Sequence, residues 1–153
     1  MRRSERSKKA EEVAHNKKLI NPSGLPVPKG FNHGVLVTAG WTLFLAGQDA
    51  SDSQGKIVAV GDVVGQYEQV LRNLKAVVEA ADGHMDDIVK LNIFVKDRRD
   101  YLAKRKEIGE VHRRYFGDWY PAMALFEVTG FYQEDALIEL EGVAIIRAET
   151  DHP

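Results

Sequence analysis

The spacing of apolar residues changes once, sharply, in the middle of this 153-residue chain. After Asp62, the residues Val63, Tyr67, Val70, Leu71, Leu74, Val77, Val78 and Ala81 recur every three or four positions, which is one apolar face of a helix. Asp62 is placed to cap that helix and Gly83 to close it. From Val89 the period falls to two. Val89, Leu91, Ile93 and Val95 alternate with Lys90, Asn92, Phe94 and Lys96, the pattern of a strand. A helix running into such a strand commits the chain to helix layered on sheet.

The remaining segments extend this pattern. Asp97 can cap a second helix with Tyr101, Ile108, Val111 and Tyr115 on its buried stripe and Gly117 as its stop. Val35–Val37 and Leu43–Leu45, separated by Ala39-Gly40-Trp41, give a hairpin signal. A short strand is expected at 57–60, and two more at 122–128 and 137–146. The expected fold class is α+β, a mixed six-stranded sheet with two helices on one face. The other face, with Val143 and Ile145, is too apolar for water, and self-association is the economical way to cover it. Clefts between such copies are a usual place for a small-molecule site.

Residues 1–20 stand apart as a basic tail. Up to Lys18 they hold seven Lys and Arg against three Glu, with few apolar residues and no apolar run of a secretory signal. Residues 21–150 form the expected single domain, opening with an irregular lead-in loop around Pro22, Pro26, Pro28 and Gly30. No stretch reaches the roughly 18 apolar residues of a membrane span. The net charge of −2 argues against nucleic acid as a partner. Cysteine is absent, which excludes thiolate chemistry and fits a reducing, cytoplasmic setting.

Glu139 and Glu141 are two apart on the last strand and share a face, opposite Ile138, Leu140, Ala144 and Ile146. Two readings stand: a structural pair salt-bridged at a sheet edge or subunit contact, or a carboxylate that positions or deprotonates water. The five histidines fall in no ligand spacing, so no metal is expected, and no glycine-rich cradle suggests a nucleotide or other cofactor. Trp119, Tyr120 and Met123 cluster around Pro121, as core or interface rather than a cofactor box.

Several short motifs, in order, resemble the Rid family, also known as the YjgF/YER057c/UK114 group and formerly as L-PSP endoribonucleases. They are Ala46-Gly47-Gln48; Gln66, Asn73-Leu74 and Ala81-Asp82-Gly83; Val89-Lys90, Phe94-Val95 and Asp97; and Pro121-Ala122 followed by Glu139-Leu140-Glu141. The resemblance implies a chorismate-mutase-like fold and a homotrimer with ligand clefts between subunits. It further implies hydrolysis of enamines or imines of 2-amino acids to 2-keto acids and ammonia. Glu139 then matches the glutamate that places water. Met123 stands where the family has a carboxylate-gripping arginine, and Phe31 where it has a tyrosine.

A thioether offers a carboxylate none of the paired, charge-assisted bonds of a guanidinium. Met123, Phe31 and Trp119 therefore suggest a more apolar pocket for an uncharged or aromatic ligand, with Gly47 and Gln48 shaping its floor and backbone N–H groups near Ala122 and Met123 available to developing charge. The first functional reading is a Rid-like hydrolase with a non-standard substrate. The alternative is a non-catalytic small-molecule-binding or regulatory homotrimer. RNA cleavage is disfavoured by the acidic body and the lack of an aromatic–basic stripe.

Overall fold

A computed structural model describes residues 16–147. The basic residues before Asn16, and with them most of the expected tail, lie outside the described residues, as do His15 and His152. The elements run β1 (Lys17–Ile20), β2 (Gly34–Val37), β3 (Trp41–Gln48), α1 (Val63–Ala80), a 3₁₀ turn (Met85–Asp87), β4 (Ile88–Val95), α2 (Arg98–Ala103), α3 (Arg105–Phe116), β5 (Ala122–Glu127) and β6 (Ile138–Ile146). No helix among the described residues is long and apolar enough to cross a membrane.

The α+β layering is as expected, but the single six-stranded sheet is not. Four strands form one mixed sheet in the order β3-β6-β4-β5, and β1 pairs with β2 in a separate two-stranded ribbon. The expected β2–β3 hairpin does not form. β2 takes β1 as its antiparallel partner and β3 takes β6. The cause is the corner between them. Gly40 has φ +137°, and Asn16 holds the corner through Thr38 N–H to its carbonyl and its own Nδ2 to Ala39 O at 3.0 Å. The direction of the chain breaks there. The segment 57–60 is likewise no strand, with only an isolated bridge from Ser51 to Ile57.

Both predicted caps are present. Asp62 accepts from Val64 and Gly65 N–H, and Asp97 accepts from Arg99 and Asp100 N–H. The second helix is interrupted at Lys104 (φ −108°, ψ 17°), which divides the expected run into α2 and α3. Gly117, φ +61°, ends α3 as predicted. At the end of α1 the left-handed residue is Asp82, not Gly83. Gly83 is required for space, because a Cβ there would press on Ile146 and Val78.

The core lies between the helices and one face of the larger sheet: Tyr67, Leu71, Leu74, Leu91, Ile138 and Leu140 are all buried. Val77, expected on the buried stripe, is exposed. The opposite sheet face is apolar and open, as the alternation predicts. Phe44 is 79% exposed and Phe126 48%, and Phe126 stacks on Phe94 at 5.6 Å.

Gln66 ties α1 to the start of β6. Fully buried, its Nε2 donates to Asp135 O at 2.9 Å and its Oε1 accepts Leu137 N–H at 2.8 Å. Gln66→Ala would leave both backbone groups unpaired in the core. We expect it to lower unfolding free energy by about 2–4 kcal/mol in urea titrations; a loss under about 1 kcal/mol would show that the staple is dispensable.

Candidate functional site

Glu139 is held where β3 meets β6. The register of that pair shifts between Leu45 and Gln48. The irregularity brings Gly47 beneath Glu139, so closely that a Cβ on Gly47 would run into the carboxylate. The loop after Gln48 is fixed from two sides. Asn73 on α1 donates to the carbonyls of Asp49 (3.0 Å) and Ser51 (2.9 Å), and Gln133 donates to Ser51 Oγ at 2.9 Å. Asp49 is thereby kept near Glu139.

Among the described residues neither Glu139 nor Glu141 forms an ion pair within the chain. Glu141 accepts a hydrogen bond from Asn92 at 3.3 Å. Burial raises the Glu139 pKa above the ordinary carboxylate value, and the neighbouring charges of Asp49 and Glu141 push it further the same way. A carboxylate so placed is a stronger proton acceptor than a solvated one. Gly47→Ala should cost little stability, since the carboxylate can swing away, but should displace Glu139. Near-wild-type melting together with an unchanged Glu139 position in a crystal structure would contradict this.

A second feature lies on the other side of the sheet. A cavity of about 420 Å³ opens between β5, α3 and the lead-in loop. Met123 and Phe31 line it. Asn32 positions Phe31, bonding through Nδ2 to Tyr120 O (2.6 Å) and through its N–H to Pro121 O (3.1 Å).

Sequence reasoning missed the polar and charged part of the wall, which is not simply apolar. His112 is buried and lies parallel to Phe116 and Tyr120, with ring centroids 4.4 and 4.7 Å away. Its Nε2 faces Trp119 O at 3.0 Å, and a carbonyl can only accept, so Nε2 carries the proton. Nδ1 then accepts from the Tyr67 hydroxyl at 3.3 Å. Burial lowers the His112 pKa and raises that of Tyr67, so both stay neutral near pH 7. Lys29, Arg105 and Arg113 also line the cavity. The four-residue spacing of Arg105, Gly109 and Arg113 was the available signal; it marks one side of a helix that the sequence reading took only for its buried stripe.

Within one chain the predicted residues fall into two groups. Leu91 pairs with Met123 and Ile93 with Leu140, all on the helix-bearing face. Phe94 pairs with Glu139 and Asn92 with Glu141, on the open face. Glu139 and Gly47 are thus together, with Gln48 at the same irregularity. Phe31 and Met123 are together on the opposite side. Ala122 pairs with Lys90 and is bridged to Asn32. Trp119 does not line the cavity: its indole N–H donates to Ile88 O at 2.8 Å and its ring lies under the Lys17 ammonium. Among the described residues no cluster of three His, Asp or Glu side chains could hold a metal ion.

The family model described as Endoribonuclease L-PSP matches residues 25–146. The chain belongs to that family, the Rid group. A RutC family protein of Pyrococcus horikoshii is 35% identical over 128 residues, covering 84% of this chain and 97% of its own. A 2-iminobutanoate/2-iminopropanoate deaminase of Dermatophagoides farinae is 30% identical over 130 residues, 85% of this chain and 97% of that one. Among solved structures, a conserved Rid family protein of unknown function from Yersinia pestis superposes with a TM-score of 0.76 at 32% identity, covering 86% of this chain and 99% of its own. This Rid chain covers nearly the full length of each of these relatives.

Proposed function

We propose that this Rid protein hydrolyses a small imine or enamine-derived imine, with Glu139 placing the attacking water. The observation that carries the reading is the Glu139 carboxylate, seated over the bare Cα of Gly47, free of any ion pair among the described residues and raised in basicity. The deaminase name of the Dermatophagoides relative supports the same chemistry. Water adds through oxygen to the C=N carbon while Glu139 accepts its proton. The C–N bond then breaks as nitrogen takes up protons, releasing ammonia and a carbonyl product.

We further propose a cytoplasmic homotrimer. The open apolar face, with Phe44, Phe94, Phe126 and Val143, supports association. A seam between copies is also the arrangement in which the carboxylate of one chain can face the cavity of the next, since one chain alone keeps them on opposite sides of its sheet. The ligand would lie in that seam, touching Phe31, Met123, Gly47 and Gln48.

The test is ammonia release from 2-imino acids generated in place from alanine, 2-aminobutyrate and phenylalanine by an amino-acid oxidase. Acceleration above the spontaneous rate is expected for at least one. If none is accelerated, the hydrolase reading fails. Met123 at the arginine position favours a second reading, a binding-only trimer, and thermal stabilisation by a ligand that is not turned over would select it.

A further inference from the structure

The wall of the cavity carries a feature that neither the apolar pocket nor the water-placing carboxylate explains. Arg105, Gly109 and Arg113 sit four residues apart on α3 and all three line it, and Lys29 adds a third cation from the lead-in loop. No ion pair among the described residues involves Lys29, Arg105 or Arg113, and no Asp or Glu lines the cavity. By contrast Arg114, the next residue on the same helix, is paired with Glu68 at 3.1 Å.

Gly109 sharpens the point. Glycine inside a helix is unfavourable relative to alanine. Here φ is not in the left-handed region and no backbone approach requires the glycine. The nearest neighbour a Cβ would meet is the Arg113 guanidinium, at 3.8 Å. The missing side chain leaves open space in the wall, flanked by two arginines.

The inner wall is of another kind. Tyr67, Tyr101 and Tyr120 present rings, and Met123 and Leu125 present aliphatic surface from β5. Burial keeps the Tyr67 and Tyr101 hydroxyls protonated, the latter with its pKa pushed up to about 12, so they add no negative charge. The cavity's size is that of small-molecule sites in general, roughly 300–1,000 Å³.

We propose that this cavity binds an organic carboxylate with an aromatic body. The anionic end is held by Arg105 and Arg113 over Gly109, and the ring lies against the tyrosine wall. The carboxylate grip that Met123 cannot supply is thus provided from a helix instead of from β5. A guanidinium recognises a carboxylate through paired, charge-assisted bonds, and two of them at one rim discriminate strongly against a neutral isostere. The proposal rests on the cavity being the ligand site, as above, but not on any turnover.

The experiment is calorimetric titration of the full chain with 3-phenylpropionate and with its neutral amide. Wild type should bind the acid at least tenfold more tightly than the amide. Arg105→Gln/Arg113→Gln should remove that preference while binding the amide as wild type does. Gly109→Met should weaken both probes by filling the space. Folding of each variant is checked by circular dichroism. Equal affinity for acid and amide, an acid preference that survives the double substitution, or no saturable binding of the acid by the folded wild type would each overturn the proposal. Acid-selective binding without ammonia release from any imine would sustain it while removing the hydrolase reading.

Discussion

Glu139→Gln should lower kcat for ammonia release by about 10²–10⁴-fold, the usual contribution of a positioned general base. KM should change little, because the amide keeps the shape of the carboxylate and removes only its ability to take a proton. The wild-type rate should fall on the acid side as Glu139 becomes protonated. That fall should begin above the ordinary carboxylate range, because burial and the charges of Asp49 and Glu141 raise its pKa.

The same shift has a consequence for stability that needs no substrate. A raised folded-state pKa means that the folded chain holds the proton more tightly than the unfolded one. Stability therefore declines as pH rises from the ordinary carboxyl value through the raised one. Glu139→Gln should melt higher than wild type at neutral pH, and the two should converge in acid. A variant that melts lower than wild type at pH 7 would show that the carboxylate is stabilised where it sits, contrary to the base we propose. Full activity in Glu139→Gln would remove the residue from the mechanism.

Lys17→Met should be the most destabilising single substitution at the surface-proximal end of the fold, by about 3–5 kcal/mol. Lys17 lies on β1, yet its side chain is 2% exposed, and its ammonium meets Asp87 Oδ1 at 3.3 Å and donates to the carbonyl of Asp86. The Trp119 ring covers it at 5.1 Å. Removing the ammonium leaves the Asp87 carboxylate, itself 4% exposed, without its nearest counter-charge. Its bond from His84 N–H at 2.9 Å remains, as does Arg147 at 4.0 Å, so partial rather than total loss is expected. Lys17→Met/Asp87→Asn should cost less than Lys17→Met alone, because no buried charge is then stranded. Chemical denaturation of these two variants and of Asp87→Asn decides this; additive losses would mean that the pair does not act as one unit.

The legible parts of this protein are those whose cause is local. Asp62 and Asp97 cap the helices that follow them, and Gly117 ends α3, since each acts within one turn of its own position. Parity along β6 placed Glu139 on the open face before any partner strand was known. Illegible were the choices made between distant segments. Val35–Val37 and Leu43–Leu45 read as a hairpin because they are adjacent, but Lys17–Ile20, read as tail, supplies a better partner for β2. Trp119 reads as pocket wall by its company with Tyr120 and Met123. Only the fold shows its indole spent on Ile88 O. Gln66 and Asn73 were visible as motif letters, but what they hold lies some 70 and 20 residues away, respectively. The cations of α3 escaped notice because a charged helical position looks the same whether it faces solvent or a hollow.

The two sides of the central sheet give this molecule a division of labour. Within one chain, positions 31, 105, 113 and 123 line the cavity while Gly47, Asp49 and Glu141 surround Glu139 across the strands, so drift in the first set leaves that chain's own carboxylate environment in place. On the function proposed above, selectivity and reactivity would be retuned separately, and a change of substrate would not require a change of reaction.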